Sequence, residues 1–466
     1  MLDVLIQGGS VVSPHSTEQC DVGIANGHIV VLAAPHSLDI PAARVIDASG
    51  KLVLPGGIDA HVHFNIALTP AMRAQSAKYG GRAAAFGGTT TFIDFALQAG
   101  ADSLTGAIEA KQAEIKNDKP DVDYALHAMI TGGATFEVLD EIPEAISGGV
   151  SSFKMFTTFS GGSASGGLFM DDGRIWGVMQ QLAKHGGIAM VHCEDDCVID
   201  FCVRKLYRHG HQHASHVHEA RPSICEEASI MRMLLLSRRT GSPLYVVHVS
   251  SIEGVEAIAE ARGKRQPVYG ESLHNYLAFS NEDYAKPDGM IYHNYPALKS
   301  PRDRAALWEA LKSGVLDVTS SDDFTIPLAQ KLAGKEVDNV SGGHNGIETR
   351  MAYLFSEGVK AGKLSINRFV DVSSTAVAKL FGLYPRKGII AVGSDADIVI
   401  INPNLKRTVT LAGLHSNCDY SLWDGWEFNG FPILTMVRGQ VLVENGKWTG
   451  PEGIGQFVPA RSPSEP

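Results

Sequence analysis

Residues 52–64 read LVLPGGIDAHVHF, an apolar run that is broken by Pro-Gly-Gly and ends in two histidines. Short apolar runs bounded by Gly and Pro are typical of buried strands. His61 and His63 are two residues apart, so on a strand their side chains project to the same side. Two such imidazoles can hold a divalent ion at a Zn–N distance of about 2.0–2.1 Å. The segment therefore predicts a buried strand with a metal site at its carboxyl end.

Similar apolar runs recur along the chain and alternate with helical stretches rich in Ala, Glu, Lys and Leu. Strands are predicted at 54–63, 89–96, 124–131, 151–156, 187–193, 244–249, 266–271 and 315–320. The clearest helices are predicted at 103–116, 173–185, 226–239, 252–262 and 302–313. Eight buried strands that alternate with helices predict a parallel sheet, and eight strands can close into a barrel. The predicted fold class is therefore α/β, with a (β/α)8 (TIM) barrel.

Both ends of the chain contain short strand-like runs separated by Gly, Asn and Pro. Asn-Gly pairs at Asn26 and Asn445 predict tight turns between antiparallel strands. Two separate β caps would satisfy this pattern, and so would one small β-sandwich assembled from both termini, which we favour. The predicted domains are a β-sandwich from 1–53 and 385–450, a barrel from 54–384, and an extended tail from 451–466.

Lys154 lies inside the apolar strand SSFKMF, where an unpaired ammonium group is costly to bury. One explanation is an ion pair with a nearby carboxylate. The other is a desolvated amine that has reacted with CO2, since the resulting carbamate has two oxygens that could bridge two metal ions. The residues alone leave both explanations open.

Further polar residues end three other predicted strands, where a barrel places its active site. A lone histidine in such a place is more often a packed residue than a ligand, but His192 and His248 end adjacent strands of a barrel that already has a His-x-His pair. At the last strand, Asp322 or Asp323 could ligate a metal ion and accept a proton. The whole set could hold two ions about 3.5–4 Å apart. Zinc suits these ligands, although manganese or cobalt could serve.

Composition restricts the class of protein further. The chain has 466 residues, of which 44% are apolar and 20% charged, as in globular proteins. A net charge of −11 argues against a nucleic-acid or anionic-membrane surface. Six scattered cysteines form no Cys-x-x-Cys pair, and neither a signal peptide nor an apolar run of roughly 20 residues occurs. We therefore expect a cytoplasmic protein with no nucleic-acid or membrane partner.

These motifs resemble those of the cyclic amidohydrolases, which include dihydropyrimidinases, hydantoinases and allantoinases. The resemblance covers nearly the whole chain, and it is carried by the following segments: LVLPGGIDAHVHF, GGTTTFIDF, SSFKMF, VHCEDD, HEARPSICEEASIMRML, PLYVVHVSS, ESLHNYL, YPALKSPRDRAALWEALKSG, GIETRM, KGIIAVGSDADIVIINP, MVRGQVLVENG and GQFVP.

The resemblance implies a role for each candidate ligand. It implies that His61, His63 and Asp322 bind one ion, and that His192 and His248 bind a second. A carboxylated Lys154 would bridge the two, which are expected to be Zn2+. The implied reaction opens a cyclic amide (a dihydropyrimidine, hydantoin, imide or lactam) by attack of a bridging hydroxide on the carbonyl. Asp322 would then pass a proton to the leaving nitrogen, and the implied assembly is a homotetramer.

Three positions depart from the family pattern in the substrate pocket. Phe159 stands where the family has a tyrosine that stabilises the oxyanion, and losing one such donor can cost roughly 10²–10³ in rate. Tyr295 replaces a serine and Gly342 an asparagine, both of which contact substrate through the backbone, so those contacts can survive. The candidates for a substitute donor near the mouth of the barrel are Tyr295, His293, Asn294, Thr157 and Thr158.

Two alternative functions follow from these departures. The first is an allantoinase-like or otherwise non-canonical amide hydrolase with an altered substrate. The second is an inactive dihydropyrimidinase-related scaffold, which the full set of ligands disfavours. A further histidine cluster at 209–218, HGHQHASHVH, suggests another metal site, but no partner ligand is evident beside it, and we interpret it as a solvated loop.

Overall fold

The computed structural model describes residues 1–67, 73–160 and 167–461. Its strands, numbered in chain order, are β1 Leu2–Val12, β2 Thr17–Ala25, β3 His28–Ala33, β4 Ala42–Asp47, β5 Leu52–Pro55, β6 Gly57–Val62, β7 Thr89–Leu97, β8 Asp123–Met129, β9 Ser152–Phe156, β10 Ile188–His192, β11 Leu244–Val246, β12 Val268–Leu273, β13 Val318–Ser320, β14 Ile398–Thr408, β15 Glu427–Val437, β16 Gln440–Glu444 and β17 Lys447–Trp448.

Helices connect most of the central strands. They are α1 Ala77–Phe86, α2 Leu104–Asp118, α3 Phe136–Asp140, α4 Ile142–Ser147, α5 Asp172–His185, α6 Asp196–Arg208, α7 Val217–Ala220, α8 Ser223–Thr240, α9 Ile252–Gly263, α10 His274–Ala278, α11 Pro301–Ser313, α12 Leu328–Lys331, α13 Arg350–Tyr353, α14 Ile366–Val370 and α15 Ala376–Leu380. No helix in the described ranges is both long and apolar enough to cross a bilayer.

Strands β6 to β13 form one parallel sheet in chain order, which confirms the predicted barrel. The first and last strands meet where Val62 pairs with Asp323 and the amide of His63 donates to the Asp323 carbonyl at 2.8 Å. Side chains alternate between two cores: Phe153 and Met155 pack outwards under the helices, whereas Met190 and Tyr245 fill the barrel interior. This alternation turns Lys154 inwards.

The predicted first strand is in fact two strands. Pro55-Gly-Gly57 interrupts it, so β5 joins the terminal sheet, where it pairs with β1 and β14, and only β6 belongs to the barrel. Proline lacks the amide hydrogen that a continuous ladder would need. Strand β12 also begins two residues later than predicted, whereas the five predicted helices begin and end within three residues of their expected limits.

The remaining nine strands form a single sheet in the order β17-β16-β15-β14-β5-β1-β2-β3, with β4 beside β1. Both chain termini contribute to it, and one apolar core contains Ile6 and Val22 from the first half and Ile398 and Met436 from the second. The expected small β domain built from both termini is thus confirmed. Two of its pairings, β1 with β4 and β1 with β5, are parallel rather than antiparallel. The domain limits of the sequence analysis stay a prediction.

Two features join this sheet to the barrel. The Nζ of Lys387 lies 2.6 Å from Asp123 on β8, 2.9 Å from Asp395 and 2.5 Å from Asp397, so one buried ammonium group forms ion pairs with carboxylates from both parts. The tail then runs along the start of the barrel strands, where the amide of Val458 donates to Tyr124 at 2.7 Å. The last five residues of the predicted extended tail lie outside the described ranges.

Candidate metal centre

All six predicted ligands lie at or near the carboxyl ends of barrel strands, around one opening. They are His61 on β6, His63 just beyond it, Lys154 on β9, His192 at the end of β10, His248 two residues after β11 and Asp322 two residues after β13. Five of these side chains are buried, and that of His63 is 16% exposed. The structure therefore brings together every residue that the sequence analysis assigned to the metal centre.

Two of the histidines converge on one oxygen atom of Asp322. The Nε2 atoms of His61 and His63 lie 3.3 Å and 3.0 Å from Oδ1 of Asp322, respectively. Two imidazole nitrogens and a carboxylate oxygen that point at one another are a suitable ligand set for a divalent cation. Asp322 adopts a left-handed backbone with φ +52°, which is uncommon for a residue with a side chain.

The other two histidines form a neighbouring group. The ring centroids of His192 and His248 are 4.5 Å apart, and those of His248 and His61 are 5.5 Å apart. His248 also has a left-handed backbone, with φ +40°. Strained backbone of this kind is often found at functional sites, where it aims a side chain that regular structure would turn elsewhere. His192 and His248 could therefore hold a second ion beside the first group.

Lys154 lies in the barrel interior beside aromatic rings. Its Nζ is 5.1 Å from the ring centroid of Phe156 and 5.7 Å from that of Phe95. Among the described residues it forms no close ion pair, although the charges of Asp322 and Glu271 are near enough to raise its pKa. Burial lowers the pKa of Lys154 to about 8. A lower pKa increases the fraction of molecules in which the Lys154 amine is neutral near pH 7.

A buried carboxylate orients the first histidine. Oε1 of Glu271 lies 2.8 Å from Nδ1 of His61, which leaves Nε2 to face Asp322. Glu271 also accepts hydrogen bonds from the Tyr245 hydroxyl at 3.0 Å and from the amide of His248 at 3.0 Å. Histidine ligands of metal sites commonly donate their other ring nitrogen to such a carboxylate, which fixes the tautomer and the ring orientation.

Glu194 orients His192 in the way that Glu271 orients His61. Its Oε2 lies 2.8 Å from His192 Nε2 and accepts from Nη1 of Arg221 at 2.6 Å. Burial alone would raise the pKa of Glu194, but Arg221 and His192 hold it at about 2. Burial also lowers the pKa of His192 to about 4, so the ring is neutral near pH 7 and donates to Glu194 through Nε2. Its Nδ1 then keeps the lone pair that a metal ion requires.

The protonation states of the other ligands also suit a cation. Burial lowers the pKa of His63, and that of His248 falls well below its usual value for the same reason. Burial would raise the pKa of Asp322, but the neighbouring imidazoles hold it well below its usual value. Nδ1 of His248 is buried and has no hydrogen-bond partner within the described residues. Metal binding needs neutral imidazoles and ionised carboxylates, so the lowered pKa values of His63, His248 and Asp322 suit a bound cation.

Sequence reasoning missed the three residues that orient the histidines: Glu194, Glu271 and Arg221. Glu271 could have been found by the argument that singled out Lys154, because it is a charged residue inside a predicted buried strand. Glu194 and Arg221 gave no comparable signal. They are far apart in the chain, and their pairing depends on how the connection after β10 folds back.

The four residues predicted to contact substrate also lie together beside the metal centre. The ring of Phe159 is 5.3 Å from that of His192 and 5.3 Å from that of Tyr295. Gly342 packs so closely on Tyr295 that a Cβ at residue 342 would lie 2.5 Å from Cδ2 of the tyrosine. Asn294 donates from Nδ2 to Asp322 Oδ2 at 2.7 Å, and its Oδ1 accepts from the amide of Gly343 at 3.0 Å.

Several candidates for a substitute oxyanion donor are engaged elsewhere. The hydroxyl of Tyr295 donates to the Val340 carbonyl at 2.8 Å. That of Thr157 lies 2.9 Å from the carbonyl oxygens of His192 and Glu194, and that of Thr158 donates to Asp196 at 3.0 Å. These three hydroxyls are therefore bonded to other groups, and none of them replaces the hydroxyl that a tyrosine at residue 159 would direct at the oxyanion.

Comparison with known proteins agrees with this arrangement. A model of the "Amidohydrolase family" matches residues 52–442. The D-hydantoinase of Geobacillus stearothermophilus is 37% identical over 460 residues, which span 97% of this chain and 96% of that protein. A crystal structure of dihydropyrimidinase from Brevibacillus agri is 35% identical, has a TM-score of 0.92 and covers 99% of both chains. An L-hydantoinase (dihydropyrimidinase) from Arthrobacter aurescens is 32% identical with a TM-score of 0.91, covering 98% of this chain and all of that one.

The fold, the site and these matches together define a barrel hydrolase of the amidohydrolase type. The chain belongs to the amidohydrolase family.

Replacing Glu271 by glutamine should weaken metal binding about 10–100-fold. Three donors, from His61, Tyr245 and His248, meet the two oxygens of Glu271, and an amide would turn its NH2 group towards one of them. Affinity can be measured by competition with a chelator. Glu348→Gln is the matched control, because Glu348 bonds to a histidine outside the centre, with Oε1 2.9 Å from His415 Nδ1. Equal affinities for E271Q and wild type would contradict the orienting role.

Proposed function

We propose that this protein is a metal-dependent hydrolase that opens the ring of a cyclic amide. The observation that carries the proposal is the convergence of His61 and His63 on Oδ1 of Asp322, in the same barrel interior as the buried Lys154. The relatives support the reaction class, since those named above are hydantoinases and a dihydropyrimidinase that align over nearly their whole length.

The proposed ligand sets follow the two groups of side chains. His61, His63 and Asp322 would hold one ion, and His192 and His248 the other, with Lys154 as a carboxylated bridge between them. The lowered pKa of Lys154 supports this, because only the neutral amine reacts with CO2. The imidazole and carboxylate donors favour Zn2+. When bound, such ions polarise the amide carbonyl and lower the pKa of water enough to supply a nucleophile at neutral pH.

Asp322 is the proposed proton carrier. In the hydrolysis a C–O bond forms from water, the ring C–N bond breaks, and one proton must move from water to the leaving nitrogen. Asp322 Oδ1 faces the histidines, while Oδ2 is held by Asn294 Nδ2 at 2.7 Å, so the carboxylate cannot rotate freely. A carboxylate held at both oxygens can accept the proton and pass it on without changing its rotamer.

Phe159, Tyr295, Gly342 and Asn294 are proposed to line the substrate pocket. Phe159 packs against His192, so a tyrosine at residue 159 would bring a hydroxyl close to the metal centre, which phenylalanine cannot do. This favours a second candidate function, an allantoinase-like or non-canonical amide hydrolase with an altered substrate. A homotetrameric assembly stays a prediction of the sequence resemblance, and a cytoplasmic location stays a prediction from the cysteine usage and the composition.

The proposed function is tested by metal analysis together with ring-opening assays on hydantoin, dihydrouracil, allantoin, cyclic imides and lactams. We expect turnover of at least one of these compounds that is lost on metal removal and restored by Zn2+. His61→Ala and Lys154→Ala should abolish turnover, whereas His15→Ala and Lys184→Ala, which change exposed residues, should not. Turnover that survives both changes at the centre would refute the metal-dependent mechanism.

Phe159→Tyr tests whether Phe159 lowers the activity of this protein on hydantoin and dihydrouracil. If the missing hydroxyl limits oxyanion stabilisation, the change should raise kcat on hydantoin and dihydrouracil, by up to roughly 10²–10³. Phe324→Tyr is a suitable control, because its ring lies 6.2 Å from that of His63 on the other side of the centre. No gain with F159Y, in protein that keeps its metal, would show that another group already stabilises the oxyanion.

A further inference from the structure

The histidine-rich segment 209–218 has no part in the proposed reaction, yet the structure gives it a defined shape. It joins α6 to α7 and contains five histidines within ten residues. Short histidine-rich tracts are typical of metal-binding segments. A metal site in this segment requires several of these side chains to converge.

Most residues of this segment are exposed or half-buried, as expected of a solvated loop, but backbone hydrogen bonds hold it in place. The amide of His211 donates to the Leu206 carbonyl at 2.9 Å. The amide of Ala214 donates to Lys335 at 2.8 Å, and that of Val337 donates to Gln212 at 2.8 Å. The segment is thus anchored on both sides to a neighbouring strand-like stretch and ends in a helical turn.

The five histidines have different surroundings. His213 serves its own turn, since its Nδ1 accepts from the amide of Ser215 at 3.3 Å. His218 faces inwards, where its ring lies 6.0 Å from that of Tyr284. The rings of His211 and His216 stack face to face, with centroids 5.1 Å apart and planes at 14°. Two of the five therefore lie side by side at the surface.

Glu219 adds a carboxylate to this pair of histidines. The sequence analysis found no such partner ligand beside the histidine cluster. Glu219 follows His216 by three residues, so both side chains project from the same side of the helical turn. Oε1 of Glu219 lies 2.6 Å from Nδ1 of His216, and the side chains of His216 and Glu219 are 35% and 45% exposed. One ligand atom each of His211, His216 and Glu219 lies within 4.8 Å of the other two.

We propose that His211, His216 and Glu219 form an additional, surface metal site. Two imidazoles and a carboxylate suit a borderline transition-metal ion such as Zn2+, with water in the fourth position. Bonds of about 2.0–2.1 Å in a tetrahedral site place the ligand atoms roughly 3.3 Å apart. The partly exposed side chains can reach that spacing by rotating, and the ion can enter directly from solvent.

Nearby carboxylates favour a cation at this surface. The hydroxyl of Tyr207, at the end of α6, donates to Glu336 at 2.8 Å and to Asp338 at 2.9 Å, and Glu336 pairs with His213 through the backbone. A bound ion would link the end of α6 to α7, immediately before Arg221. Because Arg221 holds Glu194, the site would stabilise the segment that supports His192.

The test is an isothermal titration of metal-loaded, gel-filtered protein with Zn2+. Wild type is expected to take up one further Zn2+ per chain, and H211A/H216A none. E219Q should bind this ion at least about tenfold more weakly, and it provides the test if the double variant fails to fold. H209A, which removes an exposed histidine of the same segment, should behave as wild type.

Three results would overturn the proposal: no further uptake by wild type, unchanged uptake by H211A/H216A and E219Q, or equal loss in H209A. Uptake should also persist in H61A, in which the proposed catalytic centre is disrupted. The surface site and the catalytic metal centre can therefore fail independently of each other.

Discussion

Closure of the parallel sheet between β6 and β13 is the constraint on which the site depends. His61 lies on the first strand of the barrel, and His63 and Asp322 lie just beyond the first and the last strand, so these candidate ligands can meet only if the two strands are neighbours. Val62 pairs with Asp323 through the backbone, and the amide of His63 donates to the Asp323 carbonyl. These contacts hold the two strands together one residue away from Asp322. Parallel strands then direct the remaining ligands to the same rim.

Burial inside this closed barrel determines the chemistry of the ligands. Lys154 and His192 both have lowered pKa values because they are removed from water, and both therefore tend towards the neutral forms that CO2 and metal ions require. The carboxylates oppose this trend: Glu194 and Asp322 stay ionised because cationic or imidazole groups lie beside them. One low-dielectric environment thus yields neutral bases next to fixed negative charge.

The strand order, and the meeting of the candidate ligands at one rim, were predictable because they depend on local patterns. Apolar runs set the strands, and polar residues at their ends, such as His192 and His248, marked the site. The break at Pro55-Gly-Gly57 was visible in the sequence, but its consequence, that β5 leaves the barrel for the terminal sheet, depends on pairing with β14 nearly 350 residues later. The pairing of Arg221 with Glu194 and the meeting of His211 with Glu219 likewise depend on connections whose paths no periodicity describes.

Anomalous diffraction from a crystal of the zinc-loaded protein tests the central claim most directly. We expect two zinc peaks about 3.5–4 Å apart, one beside His61, His63 and Asp322 and one beside His192 and His248. Electron density should continue from Lys154 Nζ to a carboxylate group that reaches both peaks. A single peak among these residues, or an unmodified lysine with neither ion in reach, would contradict it.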